Sequence, residues 1–168
     1  SSLYYNVTNS AFQDRYNNIT ISIWVKIELG TSGIIYHEGS MTGGSHNTAI
    51  RFQIGADTDG RVRVFMRNGG GSSNIKVNAT TNGIVCDGTW HQFTYVRDLS
   101  GDTGYMYFYI DGQLDTTLQN STKINSMTSM NFGATRIVGG STSNILIGEI
   151  SYMRFYTTAL SSTEILDV

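Results

Sequence analysis

The chain has 168 residues, 39% of them hydrophobic and 14% charged, with a formal net charge of −2. That length suits one domain able to bury a core without covalent staples, so residues 1–168 are expected to form a single domain. The charge balance gives no basis for nucleic-acid binding, which needs clustered Lys and Arg, and no run approaches the roughly 20 apolar residues that span a bilayer.

Ser, Thr and Asn take the surface positions that charged residues usually fill. Such polar, uncharged surfaces are common on exposed β-proteins, virion fibres and secreted adhesins among them, which points to an extracellular or virion-surface setting. No signal peptide is visible, and a start at Ser1 without Met is expected of a processed or excised piece.

The first strong element is Ile19–Ile27, where Ile19, Ile21, Ile23, Val25 and Ile27 fall on one face and Thr20, Ser22, Trp24 and Lys26 on the other. Period two with β-branched residues predicts a half-buried strand. Ile50, Phe52 and Ile54 alternate with Arg51 and Gln53 in a second strand. Val62, Val64 and Met66 alternate with Arg61, Arg63, Phe65 and Arg67 in a third. Between these two, Asp57-Thr58-Asp59-Gly60 reads as a hairpin turn, with Gly supplying positive φ. Gly69-Gly70-Gly71-Ser72-Ser73 reads as a flexible loop.

Ile84-Val85-Cys86 is expected as a strand carrying a half-buried, unreactive thiol, and with a single cysteine no internal disulfide forms. Tyr105–Ile110 sets tyrosines at 105, 107 and 109 against Met106, Phe108 and Ile110. One of these stripes must be core. The tyrosines are expected there with satisfied hydroxyls; facing outward, they would make an aromatic platform for a sugar or a subunit. Asp111-Gly112 closes the next hairpin, and Ser161-Ser162-Thr163-Glu164 fits a capping box opening a short C-terminal helix. Many short strands with Gly and Asp punctuation predict an all-β, two-sheet antiparallel sandwich or jelly roll.

Three ordered segments resemble the laminin G-like family of concanavalin A-like lectin and glucanase folds. They are Ile19–Lys26, then Gly88-Thr89-Trp90-His91 leading to Tyr109-Ile110-Asp111-Gly112, and finally Ile147–Tyr156 with Ala159-Leu160-Ser161. The resemblance implies a concanavalin A-like jelly roll along nearly the whole chain. It leaves function open, since such folds host lectins, pentraxins, adhesion modules, hydrolases and virion proteins.

Glucanases of this fold carry paired carboxylates on one strand, about 5 Å apart. Here Glu28, Glu38, Glu149 and Glu164 have no second carboxylate two residues away, and His37, His46 and His91 stand far from any nucleophile motif. No catalytic residue is expected, and the chain is read as no enzyme. The resemblance also implies that a calcium ion is possible, held by loop carboxylates. Asp57 with Asp59, and Asp98 with Asp102, offer such oxygens, and each pair is equally explained as turn-forming. No cofactor is required.

The face made by Arg61, Arg63, Phe65 and Arg67, joined by Arg51 from the neighbouring strand, is the candidate ligand-binding surface. Guanidinium forks suit carboxylates and sulfates, and Phe65 offers a stacking plane. A solvated strand face accounts for the same pattern. The expected function is non-catalytic recognition or adhesion toward a glycan or surface protein, as in a phage or viral fibre or a bacterial adhesin. The alternative is a structural, decoration or homo-oligomerising part of a virion or surface assembly. Sequons at Asn6, Asn18, Asn78 and Asn120 arise readily by chance in so Asn- and Thr-rich a chain.

Overall fold

Alternating runs become strands when one side of them finds a core. The computed structural model describes residues 5–7, 18–42, 45–55, 59–67, 75–122, 129–136 and 142–168. Its strands are β1 (Tyr5–Val7), β2 (Ile19–Lys26), β3 (Gly33–Thr42), β4 (Ser45–Ile54), β5 (Arg63–Arg67), β6 (Ile75–Thr80), β7 (Trp90–Asp98), β8 (Tyr105–Ile110), β9 (Gln113–Gln119), β10 (Ser129–Phe132), β11 (Thr135–Arg136), β12 (Thr142–Ser143) and β13 (Glu149–Tyr156). One helix follows, α1 (Ser162–Ile165).

The strands form a six-stranded sheet, β1-β10-β3-β4-β5-β6, and a five-stranded sheet, β13-β2-β7-β8-β9, with β11-β12 as a short ladder. The strand pairings are antiparallel throughout, and the expected two-sheet sandwich is what forms. No helix among the described residues is long and apolar enough to cross a membrane.

The core lies between the two sheets. Ile19, Ile21, Ile23, Val25 and Ile27 are all buried in it, together with Phe93, Tyr95, Met106 and Phe108 of the same sheet. Tyr36, Ile50, Phe52, Val64, Met66 and Phe132 come from the other sheet. Ring contacts with centroids 5.1–6.2 Å apart run from Phe132 through Tyr36, Phe52 and Phe93 to Phe108. Each such side chain contributes about 1.5–3 kcal/mol by leaving water.

Two charged groups share this interior. Glu38 follows Tyr36 by two on β3, Arg97 follows Tyr95 by two on β7, and both are fully buried. The Tyr36 hydroxyl donates to the Glu38 carboxylate, and the Arg97 guanidinium donates to the Thr122 carbonyl at 2.8 Å. Burial lowers the Arg97 pKa, against the opposing pull of Tyr95 and Glu38.

The tyrosine stripe corrects the sequence expectation. Met106 and Phe108 enter the core, and Tyr105, Tyr107 and Tyr109 face out of the sandwich. Both faces of β8 are apolar, so alternation alone could not choose between them. The choice comes from β7, whose inward Phe93 and Tyr95 pair with Ile110 and Phe108. Tyr105 and Tyr107 stack at 6.0 Å, while Tyr109 and Val96 lie against Ile165 of α1.

The first half of β2 is buried on both faces. Thr20 Oγ1 donates to the Thr158 carbonyl at 2.8 Å and accepts from the Leu160 N–H at 3.0 Å, and Thr94 Oγ1 donates to Ser22 Oγ at 3.1 Å. These hydroxyls make the covering C-terminal segment affordable to the backbone it buries.

Turn chemistry follows the expected residues. Asp111 and Gly112 have φ of 51° and 76°, closing a two-residue hairpin between the paired Ile110 and Gln113. Asp59 and Gly60 are likewise left-handed, at 47° and 78°. The capping box is complete: the Glu164 N–H donates to Ser161 Oγ, and the Ser161 N–H donates to the Glu164 carboxylate. Ile84-Val85-Cys86 is no strand. Its Val85 and Cys86 N–H groups both donate to the Gly60 carbonyl. Cys86 is fully rather than half buried, and burial, with Asp87 nearby, pushes its thiol up to about 11. The glycine-rich loop at 69–73 lies outside the described residues.

Candidate functional site

On β4, β5 and β6 the inward positions Ile50, Phe52, Val64, Met66 and Val77 are core, which turns Arg51, Gln53, Arg63, Phe65, Arg67, Lys76 and Asn78 to the opposite face. Register aligns Gln53, Arg63 and Thr80 in one row and Arg51, Phe65 and Asn78 in the next. The second row continues from Arg51 to His37 on β3 and Asn131 on β10. His37 and Asn131 are buried on this face. Sequence reading did not bring them here, because only cross-strand register joins positions so far apart in the chain.

Phe65 is not an open stacking plane. It is 7% exposed, with the Arg51 guanidinium 4.7 Å and the Arg67 guanidinium 4.9 Å from its ring centroid. Its quadrupole holds these two cations beside the sheet. Arg61 stands apart: its Nε donates to the Asn82 carbonyl at 2.9 Å, and its guanidinium is 3.8 Å from the Asp59 carboxylate. The structure therefore gathers Arg51, Arg63 and Arg67 and ties Arg61 to the adjoining loops.

The gathered guanidiniums repel one another. The Arg51 pKa is lowered by burial first, then by Arg67 and Arg63. Buried Nε atoms of Arg51 and Arg67 have no hydrogen-bond partner among the described residues. No Asp or Glu occurs in the sequence between Glu38 and Asp57 or between Asp59 and Asp87, so β4, β5 and β6 carry no carboxylate. Bringing a negative charge to this face would relieve that repulsion.

Of the expected calcium ligands, Asp59, Asp98 and Asp102 lie among the described residues. Asp59 is a left-handed turn residue beside Arg61. Asp98 Oδ1 accepts from the Ser100 N–H at 2.9 Å and its hydroxyl at 2.5 Å. Asp102 is exposed, and Asp57 lies outside the described residues. Among the described residues no three His, Cys, Asp or Glu side chains are grouped to hold a metal.

His91 ties two loops. Its Nδ1 is 2.7 Å from Asp111 Oδ2 and its Nε2 is 3.1 Å from Asp87 Oδ1. Burial lowers the His91 pKa, but the hydrogen bonds and charges of Asp111 and Asp87 outweigh it and leave the pKa raised. Asp111 Oδ1 also accepts from the Gln92 N–H at 2.8 Å, so this group secures the hairpin.

A family model described as the concanavalin A-like lectin/glucanases superfamily, of the laminin G type, matches residues 2–166. No curated protein matches the chain. Among solved structures, the chain is similar to the Ruminococcus gnavus IT-sialidase CBM40 bound to alpha2,3 sialyllactose, at 16% identity and TM-score 0.70, covering 99% of this chain and 98% of that one. It is similar to the binding domain of botulinum neurotoxin DC in complex with SialylT, at 14% identity and TM-score 0.66, covering 98% of this chain and 38% of that one. It therefore spans about two fifths of the toxin domain's length. A heptameric SAP-like pentraxin from Limulus polyphemus is similar at 16% identity and TM-score 0.63, covering 90% of this chain and 69% of that one.

Proposed function

The chain belongs to the laminin G-like family of the concanavalin A-like lectin/glucanases superfamily, and from that premise we propose that it is a non-catalytic recognition module binding an acidic glycan on the outer face of its six-stranded sheet. One observation carries this reading: Arg51 and Arg67 lie over the Phe65 ring, with Arg63 near enough to Arg51 to lower its pKa, and no carboxylate occurs on β4, β5 or β6. Guanidinium forks bind carboxylate and sulfate oxygens in pairs, which favours such groups over neutral sugars. The sialyllactose-bound CBM40 lends the reading support by analogy.

Each glutamate in the described residues has a task that supports a non-catalytic reading. Glu38 is buried against Tyr36, Glu149 is 3.3 Å from Lys26, Glu164 caps α1, and the Glu28 carboxylate lies where a Gly88 side chain would go. The setting that suits such a module is the outside of a cell or virion. A glycan array of neutral, sialylated and sulfated glycans, run in calcium and in chelator, tests the reading. Binding confined to acidic glycans, and equal with and without calcium, is the expected result; binding of neutral glycans alone sinks it.

A second reading rests on Tyr105 and Tyr107, which stack outside the core with Tyr105 exposed. That platform suits contact with another copy or a larger assembly. Solution mass across concentration tests it, and a monomer throughout counts against self-assembly.

A further inference from the structure

We infer that the end of the sandwich where β2 finishes and β3 begins docks a second protein, one whose contact patch is apolar at its centre and ringed by Lys and Arg. This surface is separate from the arginine face and independent of the glycan reading. Segment 27–33 crosses here from the five-stranded to the six-stranded sheet. Segment 144–148 packs against it: the Ile34 N–H donates to the Asn144 carbonyl at 3.0 Å, and a side chain on Gly148 would meet Ile27. Residues 84–88 join the same end, with the Gly88 N–H donating to the Ile27 carbonyl at 3.0 Å and the Val85 and Cys86 N–H groups to the Gly60 carbonyl. These segments carry bare aliphatic tips: Ile147 is 76% exposed, Leu29 67%, Ile84 46% and Ile145 40%. Leu29 and Ile84 meet over Gly60, where an added Cβ would lie 3.1 Å and 3.0 Å from their methyl groups. The described turns at the opposite end, 100–103 and 120–122, are built of Ser, Gly, Asp, Thr and Asn.

Grouped exposed apolar side chains mark interaction sites, and the backbone beneath these is already hydrogen-bonded in place, which lowers the ordering cost of association. The chemistry of the patch selects the partner. Leu and Ile offer neither the ring plane nor the hydrogen bonds that hold a sugar. Ile145 lines a cleft of about 250 Å³ with Ser32, Gly33, Ile34, Gln53 and Asn144. That is below the roughly 300–1,000 Å³ of small-molecule sites and suits one inserted side chain. The carboxylates beside the tips, Glu28, Asp59, Asp87 and Glu149, outnumber the cations Lys26 and Arg61. A membrane-docking face has the reverse, Lys and Arg beside its apolar residues. A protein patch with an apolar centre and a basic rim is complementary on both counts.

The test titrates the whole chain, by fluorescence anisotropy, into labelled helical peptides made of Leu and Lys, of Leu and Glu, and of Ser and Lys. The Leu/Lys peptide should bind most tightly, with amide shift changes in the chain confined to 27–33, 84–88 and 144–148. Leu29→Ser with Ile147→Ser should weaken it about tenfold or more, as loss of anchoring side chains does. Glu28→Lys should weaken it about threefold and reduce its salt dependence. Melting temperature should hold in these variants, because all three side chains lie in water. Ile75→Ser removes an exposed apolar side chain at the opposite end and should leave binding unchanged. Failure of the Leu/Lys peptide to bind, equal binding of either other peptide, or wild-type binding by Leu29→Ser/Ile147→Ser overturns the inference. Association with phosphatidylcholine vesicles that the double variant abolishes overturns it in favour of a membrane. A dimer in sedimentation that the same variant dissolves overturns it in favour of a second copy.

Discussion

The two outer faces of the sandwich are built from the same kind of alternating strand and end in opposite electrostatic states. On the five-stranded sheet, Lys26 pairs with Glu149, Thr20 is hydrogen-bonded to the C-terminal segment, and the Gln92 side chain donates to the Val168 carbonyl. Ile165 of α1 closes over Val96 and Tyr109. On the six-stranded sheet, Arg51, Arg63 and Arg67 crowd one another without a carboxylate on their strands. A face that satisfies its own groups serves stability. A face that keeps like charges together is the one proposed to receive an anion.

Variants break or sharpen this contrast in descending order of effect. Val64→Asp should prevent folding, since it buries an unpaired charge directly behind the arginine face. Loss of the folded circular dichroism spectrum is the check, and a normal spectrum would mean the two faces of β5 are inverted. Arg97→Ala should destabilise by about 3–5 kcal/mol in chemical denaturation, because Glu38 then lacks the cation buried near it. Thr20→Val should cost about 1–3 kcal/mol by stranding the Leu160 N–H, with faster amide exchange along 158–166.

Next comes the pH dependence of the His91 group. Its pKa is raised in the fold, so its stabilisation is fully present below the ordinary value of 6.5 and lost as pH rises through the folded value. Asp87 behaves in the opposite sense: hydrogen bonds from Thr89 and His91 hold its carboxyl down at about 2, so its share is present above the ordinary 3.8 and lost as pH falls toward 2. Melting temperature should thus decline from pH 6.5 upward, and Asp111→Asn should flatten that decline. An unchanged slope in Asp111→Asn would remove His91 from the account. The smallest effect is expected for Arg63→Ala, within about 1 kcal/mol in the absence of anion, because a partly exposed charge contributes little. A loss as large as that of Arg97→Ala would mean that the face is internally paired.

Much of this architecture is legible before any coordinates. The core side of β2 and β5, the Asp111-Gly112 turn and the α1 capping box each depend on residues within a few positions of one another. The failures share one cause. β8 has two apolar stripes, and the direction of its tyrosines follows from Phe93 and Tyr95 on β7. Ile84–Cys86 has strand-like residues, yet its backbone bonds to Gly60 of a distant turn instead of to a ladder.

The arginine face divides in the same way. Period two in the chain places Arg61, Arg63, Phe65 and Arg67 on one side, since alternation is a property of the strand itself. Only the tertiary structure takes Arg61 away to Asn82, lays Arg51 and Arg67 against Phe65, and aligns His37 and Asn131 in the same row. Those outcomes depend on register between strands and on where long side chains find partners, and a local pattern carries neither. Sequence alone determined the sandwich and which side of β5 bears charge. Long-range pairing decided where each of those charges is placed, Arg61 against Asn82 and Arg67 against Phe65.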